Sequence, residues 1–266
     1  MDAQKGTVIV HPSDRDPLNR AQPSGGQAVD PARTVVPNTL SDGVRVSSAP
    51  REGFLTASFV WMFVGVLLSA ASATFLMNNA ELQARVMDVW LFLLIGQLAL
   101  VLAIGFLITR IPPLVALGLF FAYALAMGLV IGVVVLAYSQ TIGLSGVVSA
   151  FVGAAAIFGG AAVYGGLTGR DLTSLGGILF MGLIGLIVVV IVQLFFFPGN
   201  GILNLAIGIV GVVIFTGLTA WDVQRIKNGN IAGINAESAS VMGALALYLD
   251  FVNLFLFMLR IFGSSR

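Results

Sequence analysis

The chain has 266 residues, of which 58% are hydrophobic and only 9% are charged, and its net charge is +1. A soluble domain carries about 25% charged residues, and a chain of this length cannot bury so much apolar surface within itself, so lipid must cover most of it. The low net charge argues against a nucleic-acid-binding protein, and the absence of cysteine excludes disulfides and thiolate metal sites.

The first 52 residues differ from the rest of the chain. They hold six of the thirteen basic and six of the twelve acidic residues, together with the single histidine, His11. Their short apolar groups follow no sustained period, so the segment cannot bury enough surface to offset chain entropy. We predict a disordered polar tail at residues 1–52, with docking to a partner protein as the alternative. A histidine metal site or catalytic triad is not expected.

Seven long apolar stretches follow the tail, and the first begins at Phe54, too far along the chain for a signal peptide. About 20 apolar residues are needed for a helix to cross the hydrocarbon core, and these stretches lack the alternation of membrane-barrel strands. The sequence therefore predicts an all-α integral membrane domain at residues 53–266. Its predicted spans are 54–77, 89–108, 113–137, 142–165, 175–197, 202–221 and 240–262.

Basic residues set the expected orientation of this bundle. With the N-terminus in the cytoplasm, the cytoplasmic connections carry Arg110, Arg170, Arg225 and Lys227. The opposite side carries Arg85, besides the C-terminal Arg260 and Arg266. The excess of positive charge on the cytoplasmic side favours this topology. Trp221 lies at a predicted span end, where amphipathic rings are preferred, and Arg260 is close enough to a span end to snorkel.

Asp250 lies about ten residues into the last predicted span. An ionisable group at membrane depth is costly unless it is paired, protonated or hydrated, and it marks a functional site by default. Asp250 belongs to a stripe at helical spacing: Gly243, Ala246, Asp250, Asn253 and Phe257. Because most of its members are small or polar, we expect the stripe to face the bundle interior. A purely structural hydrogen bond is the alternative for Asp250.

Asp222 lies at the cytoplasmic end of the sixth predicted span. It ends a second stripe at the same spacing: Gly208, Gly211, Phe215, Thr219 and Asp222. A short connection makes the sixth and seventh spans neighbours, so the two aspartates are expected to face one another. Close carboxylates in a poorly hydrated place share one proton and titrate as a pair, and when ionised they suit a hard cation such as Ca²⁺. Pairing of Asp222 with Arg225 or Lys227 is the alternative.

Two segments carry a resemblance to a known family. They read GLTAWDVQRIK at residues 217–227 and ALALYLDFVNLF at residues 244–255, and upstream stand YGGLTGRDL at 164–172 and FMGLIGL at 180–186. These segments resemble the Bax inhibitor-1 family, also called the transmembrane Bax inhibitor motif family, in its bacterial YccA-like form. The similarity extends from about Gly53 to Gly263 and excludes the tail.

The resemblance implies a seven-helix fold with a central last helix and a pH-sensitive leak of cations, chiefly Ca²⁺. In that family two aspartates on the last two helices share a hydrogen bond and sense pH, and Asp222 and Asp250 match them. Thr219 and Asn253 stand beside them as supporting polar groups. In a bacterial relative, an arginine at the end of the second helix latches onto the first aspartate; here Arg110 is the nearest match, at least one residue beyond that place. Some relatives carry an acidic residue on the second helix. This sequence has none there, and Gln97 is the nearest polar residue.

Three functions compete at this point. The first is a cation leak gated by protonation of the Asp222–Asp250 pair, in which Ca²⁺ is the transported or bound ion and the lipid bilayer the only certain partner. The second is a non-conducting regulator or scaffold, since some bacterial relatives modulate a membrane-anchored ATP-dependent protease. The third and least favoured is an intramembrane aspartic protease; we expect no enzyme. A bacterial plasma membrane is suggested by the resemblance.

Overall fold

The computed structural model describes residues 51–229 and 236–264, and every regular element within them is an α-helix. The predicted all-helical class is confirmed for this part of the chain. The predicted disordered tail lies outside the described residues, apart from residues 51 and 52, with which the first helix begins. The connection at residues 230–235 and the C-terminal Arg266 lie outside them as well.

Seven helices follow one another along the described chain. They are α1 (Arg51–Met77), α2 (Ala80–Asp88), α3 (Trp90–Leu107), α4 (Pro113–Leu167), α5 (Thr173–Phe196), α6 (Gly201–Lys227) and α7 (Ala236–Ser264). All except α2 are long and apolar enough to cross a membrane. The short α2 occupies a segment that the sequence predicted only as a connection, and the side chain of Asn79 caps it by accepting a hydrogen bond from the Leu82 amide at 3.0 Å.

Helix α4 is too long to cross a membrane once. At ~1.5 Å per residue its 55 residues would extend about 80 Å, against a hydrocarbon core of about 30 Å. The helix is broken at Gly143, whose φ of 72° and ψ of 166° are not helical. Glycine tolerates this positive φ because it has no Cβ.

Contacts with α7 show that the chain reverses direction at this break. Before it, residue numbers in α4 and α7 rise together in the contacting pairs, which are Phe120 with Tyr248 and Tyr138 with Gly263. After it, they run in opposite senses in the pairs Phe151 with Phe255 and Phe158 with Phe251. The two halves of α4 are therefore antiparallel helices joined at Gly143.

Helix α7 lies at the centre of the packing, against α1, α4 and α6. Four of its large side chains are wholly inaccessible: Leu247, Tyr248, Leu254 and Leu259. The Tyr248 hydroxyl lies 2.6 Å from the Ser69 hydroxyl of α1, which satisfies a polar group in the interior. By contrast, α5 packs mainly on α6, and α3 mainly on α4. The two peripheral helices leave part of the α6–α7 surface uncovered, and the candidate site lies there.

Candidate functional site

A cavity of about 720 Å³ lies over the uncovered surface of α6 and α7, with walls that also come from α3 and α5. Its lining is mostly aliphatic and aromatic. The polar exceptions lie on α6 and α7: Asp222, Arg225, Asp250 and Asn253. An apolar cavity with a few convergent polar groups is the usual form of a binding site.

Helical spacing places these residues on the cavity wall. Ala246, Asp250, Asn253 and Phe257 of α7 follow one another at intervals of three or four residues, and all of them line the cavity. They are four of the five members of the predicted stripe. The fifth, Gly243, packs instead against α1 and α6, where an added Cβ would overlap the Ser58 hydroxyl.

The two aspartates lie deep in the protein. Asp250 is 4% exposed near the middle of α7, and Asp222 is 7% exposed in the last two turns of α6. The helices are antiparallel, since Gly208 packs against Ile261 and Ile226 packs against Gly243, and both carboxyls line the same cavity. The structure thus brings the two predicted carboxyls into one site.

One oxygen of each carboxyl has no hydrogen-bond partner among the described residues. These atoms are Oδ1 of Asp222 and Oδ2 of Asp250, and both are inaccessible. A buried polar oxygen normally has a partner, and an unpaired one is costly in a poorly hydrated interior. Oδ2 of Asp250 is therefore an open acceptor for a proton, a water molecule or a cation, whereas Oδ1 of Asp222 faces a cationic side chain of the protein itself.

Arg225 is the cation that faces Asp222. Its Nη2 lies 2.9 Å from Oδ1 of Asp222, three residues earlier on the same helix. The contact is an ion pair without hydrogen-bond alignment, because neither that oxygen nor Nε of Arg225 has a hydrogen-bond partner. The guanidinium also lies over the Trp221 ring, 4.6 Å from its centroid, a cation–π arrangement. The indole packs in turn on Gly176 of α5, where a Cβ would overlap it.

The predicted latch residue lies elsewhere. Arg110 is exposed in the turn that follows α3, and the ion-pair partner of Asp222 among the described residues is Arg225. Lys227, the other basic residue considered for Asp222, donates instead to the backbone carbonyl of Gly166. Of the two alternatives drawn from position, the structure adopts Arg225.

The supporting polar residues keep local hydrogen bonds. Thr219 is fully buried and its hydroxyl donates to the Phe215 carbonyl at 2.7 Å, while Nδ2 of Asn253 donates to the Leu249 carbonyl at 2.8 Å. Gln97 is also buried, on α3, and its Nε2 has no partner in the described part of the chain.

The described residues contain no cluster of three or more histidine, cysteine or acidic side chains. Ca²⁺ takes six to eight oxygen ligands, so the Asp222–Asp250 pair would supply only part of a coordination shell.

The connection between α4 and α5 is fixed to the end of α6. Gln224 uses both ends of its amide: Oε1 accepts from the Leu172 amide at 2.8 Å, and Nε2 donates to the Arg170 carbonyl at 2.7 Å. Asp171 in this connection accepts from the Thr173 amide at 2.9 Å. Hydrogen bonds from the Thr173 side chain and backbone lower the pKa of Asp171.

Sequence reasoning missed two features of the site. It considered Trp221 only as a residue at a span end and did not predict its contact with Arg225; the spacing of four residues between them was the available signal. It also expected Arg260 to snorkel, whereas this guanidinium donates to Oε1 of Gln193 on α5 at 3.2 Å. No local pattern indicates that contact, because it joins two helices far apart in sequence.

The chain is similar to a known protein family and to proteins of several bacteria. Residues 51–266 match a family model described as "Inhibitor of apoptosis-promoting Bax1". An uncharacterised protein of Deinococcus radiodurans is 39% identical over 80% of this chain and 90% of its own length. The inner membrane protein YbhL of Escherichia coli K12 is 36% identical over 85% of this chain and 97% of its own length. A protein of Borreliella burgdorferi is 37% identical over 81% and 94%.

Proposed function

This chain belongs to the Bax inhibitor family, and on that premise we propose that it is a pH-sensitive cation leak channel, with Ca²⁺ as a transported ion and no enzymatic activity. One observation carries the proposal: two buried carboxyls line a single cavity among membrane-crossing helices, and Oδ2 of Asp250 has no hydrogen-bond partner among the described residues. Groups of this kind at membrane depth mark ion pathways and proton relays.

The proposal includes a seven-crossing topology with the N-terminus in the cytoplasm of the bacterial inner membrane. Six helices are long and apolar enough to cross, and the break at Gly143 turns the longest into two antiparallel crossings. Seven crossings place Arg110, Arg170, Arg225 and Lys227 on the N-terminal side, as the positive-inside rule favours. The relative YbhL is named an inner membrane protein, which supports the location.

Protonation of the aspartate pair acts on the site in two opposed ways. First, it removes negative charge, which weakens the attraction for a cation. Second, it breaks the ion pair between Asp222 and Arg225, so the guanidinium can leave the cavity wall. Either effect makes flux depend on pH through these two residues. The variants decide between them, because Arg225→Gln removes the second effect and leaves the first.

Flux measurements on the full chain in liposomes test the proposal. Ca²⁺ flux is recorded from mildly acidic to mildly alkaline pH for the natural protein and for Asp222→Asn and Asp250→Asn. Each substitution should remove or flatten the pH response, because an amide does not titrate in this range. Asp171→Asn is the matched control, since this aspartate lies in the connection between α4 and α5, and its pH response should equal that of the natural protein.

Two results would contradict parts of the proposal, the first its channel activity and the second its pH sensor. If the natural protein carries no flux above empty liposomes, conduction is not its function and the regulator of a membrane-anchored protease becomes the better hypothesis. If it conducts and both amide variants keep the full pH response, the aspartate pair is not the sensor.

A further inference from the structure

A second cavity, of about 360 Å³, lies toward the opposite end of α5, α6 and α7. It is lined where α5 ends and α6 begins, and by the last turns of α7. Gln193 is 5% exposed in its wall, and Nε2 of Gln193 donates to Oδ1 of Asn204 at 2.8 Å. The same amide accepts from Arg260 through Oε1, so all three polar side chains belong to one hydrogen-bonded group.

Arg260 brings an unbalanced positive charge to this cavity. Among the described residues, ion pairs within 4.0 Å join only Arg85 to Glu81 and Arg225 to Asp222. Arg260 is half-buried, and its hydrogen bond to Gln193 involves a neutral amide. A guanidinium remains charged under all relevant conditions, so the second cavity carries a fixed positive charge without a carboxyl, whereas the first carries two carboxyls beside Arg225.

The two cavities follow one another along the same groove. Val190 of α5 lines both of them. On α7, Asn253 and Phe257 line the first cavity and Arg260 lines the second, and their spacing of four and three residues keeps them on one helix face. One turn of helix therefore leads from the last residue of the first cavity to the charge of the second.

Phe257 occupies the boundary between the cavities. Its ring packs against Gly211 of α6, where a Cβ would overlap it, and lies 5.7 Å from the ring of Phe215. Val190 on the facing helix lines both cavities, so the residues named at this boundary are apolar. Apolar constrictions of this kind stop ions by excluding the water that must accompany them.

We propose that Phe257 and Arg260 form the barrier of the cation route at the C-terminal end of α7: the Phe257 ring separates the two cavities, and Arg260 places a positive charge in the path beyond it. This inference rests on the proposed cation leak and adds the course and the closure of its pathway. The fixed charge makes the barrier depend on the valence of the ion, because the Coulomb energy is proportional to ionic charge.

Paired flux measurements of K⁺ and Ca²⁺ on the full chain in liposomes test both residues. Phe257→Ala should raise the flux of both ions several-fold by opening the apolar boundary. Arg260→Gln should raise Ca²⁺ flux by about the square of its effect on K⁺, for example about tenfold against about threefold, since the repulsion on a divalent ion is twice as large. Arg260→Lys retains the charge and should keep fluxes near those of the natural protein.

Matched controls come from residues outside the groove. Phe195→Ala removes a ring that is 73% exposed on α5, and Arg85→Gln removes an exposed charge on α2; neither should change flux. Phe257→Leu keeps an apolar side chain at the boundary and should remain closed. Should Phe257→Ala not yield folded protein, the Arg260→Gln and Arg260→Lys pair decides the inference alone.

The outcomes separate this inference from the proposed function. If the natural protein conducts and Phe257→Ala or Arg260→Gln leaves K⁺ and Ca²⁺ flux unchanged, the route lies elsewhere and the channel itself stands. Equal factors for K⁺ and Ca²⁺ in Arg260→Gln would overturn the charge barrier. If neither the natural protein nor any variant conducts, the proposed function fails and this inference fails with it.

Discussion

Helices α5 and α7 show opposite relations between hydropathy and burial. Of the six membrane-crossing candidates, α5 has the most apolar window and α7 the least, yet 11% of the α5 window is buried inside the protein against 61% of the α7 window. In a soluble protein the most apolar helix would lie at the centre. Lipid is as apolar as any side chain, so nothing drives an aliphatic helix inward, and small and polar residues occupy the helix contacts instead. In this protein the least apolar of the six helices is also the one that holds Asp250 of the candidate site.

The largest expected difference between these helices lies in their phenylalanines. Phe251 of α7 is 7% exposed and packs edge-to-face with Phe151 and Phe158 of α4 at 5.5 and 5.6 Å, whereas Phe195 of α5 is 73% exposed. Phe251→Ala should lower stability by about 3–5 kcal/mol, because it leaves a cavity among packed helices. Phe195→Ala should cost less than about 0.5 kcal/mol, since lipid or detergent fills the space.

Thermal unfolding of the purified variants in one detergent measures this difference. Both variants remove the same side chain, so helix propensity and transfer into the membrane cancel in the comparison. Equal losses of stability in the two variants would contradict the assignment of α5 to the lipid-facing surface.

Sequence alone predicted those features that depend on a single helix, namely its span and its interior face. Length and hydropathy identified the spans, and spacings of three and four residues placed Asp222 and Asp250 on interior faces. The break in α4 was expected between the predicted spans 113–137 and 142–165 and lies at Gly143, where the positive φ is a backbone property that an apolar run does not reveal. Contacts across helices, such as Gln193 with Arg260, depend on packing and left no signal in the sequence.

Tyr248 and Asp250, two residues apart on α7, are expected to affect stability and function differently. Tyr248 is inaccessible and its hydroxyl bonds to Ser69, so Tyr248→Phe should lower stability by about 1 kcal/mol, the net contribution of one hydrogen bond, and leave the pH response of Ca²⁺ flux intact. Asp250→Asn should have the reverse effect. It replaces a buried, incompletely paired acid by a neutral amide, so stability should not fall at neutral pH, and the pH response should be lost.

Unfolding and flux measured on the same preparations test this pair. A loss of stability in Asp250→Asn larger than that in Tyr248→Phe would mean that Asp250 makes a structural hydrogen bond, the alternative that its position in the sequence left open. A flattened pH response in Tyr248→Phe would extend the sensor to the Tyr248–Ser69 contact.

The smallest expected effect lies at Asp171, outside the membrane-crossing helices. Hydrogen bonds from the Thr173 side chain and backbone lower the pKa of Asp171 below its ordinary value. A carboxylate with a lowered folded-state pKa contributes stability above its unfolded-state pKa, and the contribution is lost as pH falls through the folded-state value. Because Asp171 is fully exposed, we expect only a local change: protection of the Thr173 amide against hydrogen exchange, corrected for its intrinsic rate, should decrease on acidification.

The Asp171→Asn variant tests whether titration of this carboxyl causes the decrease in protection at Thr173. The amide oxygen of asparagine can still accept from the Thr173 backbone, but it does not titrate, so protection in the variant should be independent of pH over the same range. The amides of Leu172 and Gly176, which donate to Gln224 and to the Leu172 carbonyl, serve as internal references in both proteins. Protection at Thr173 that decreases equally in the natural protein and in Asp171→Asn would contradict this prediction. The acid-sensitive element would then be the attachment of the whole connection to α6 through Gln224.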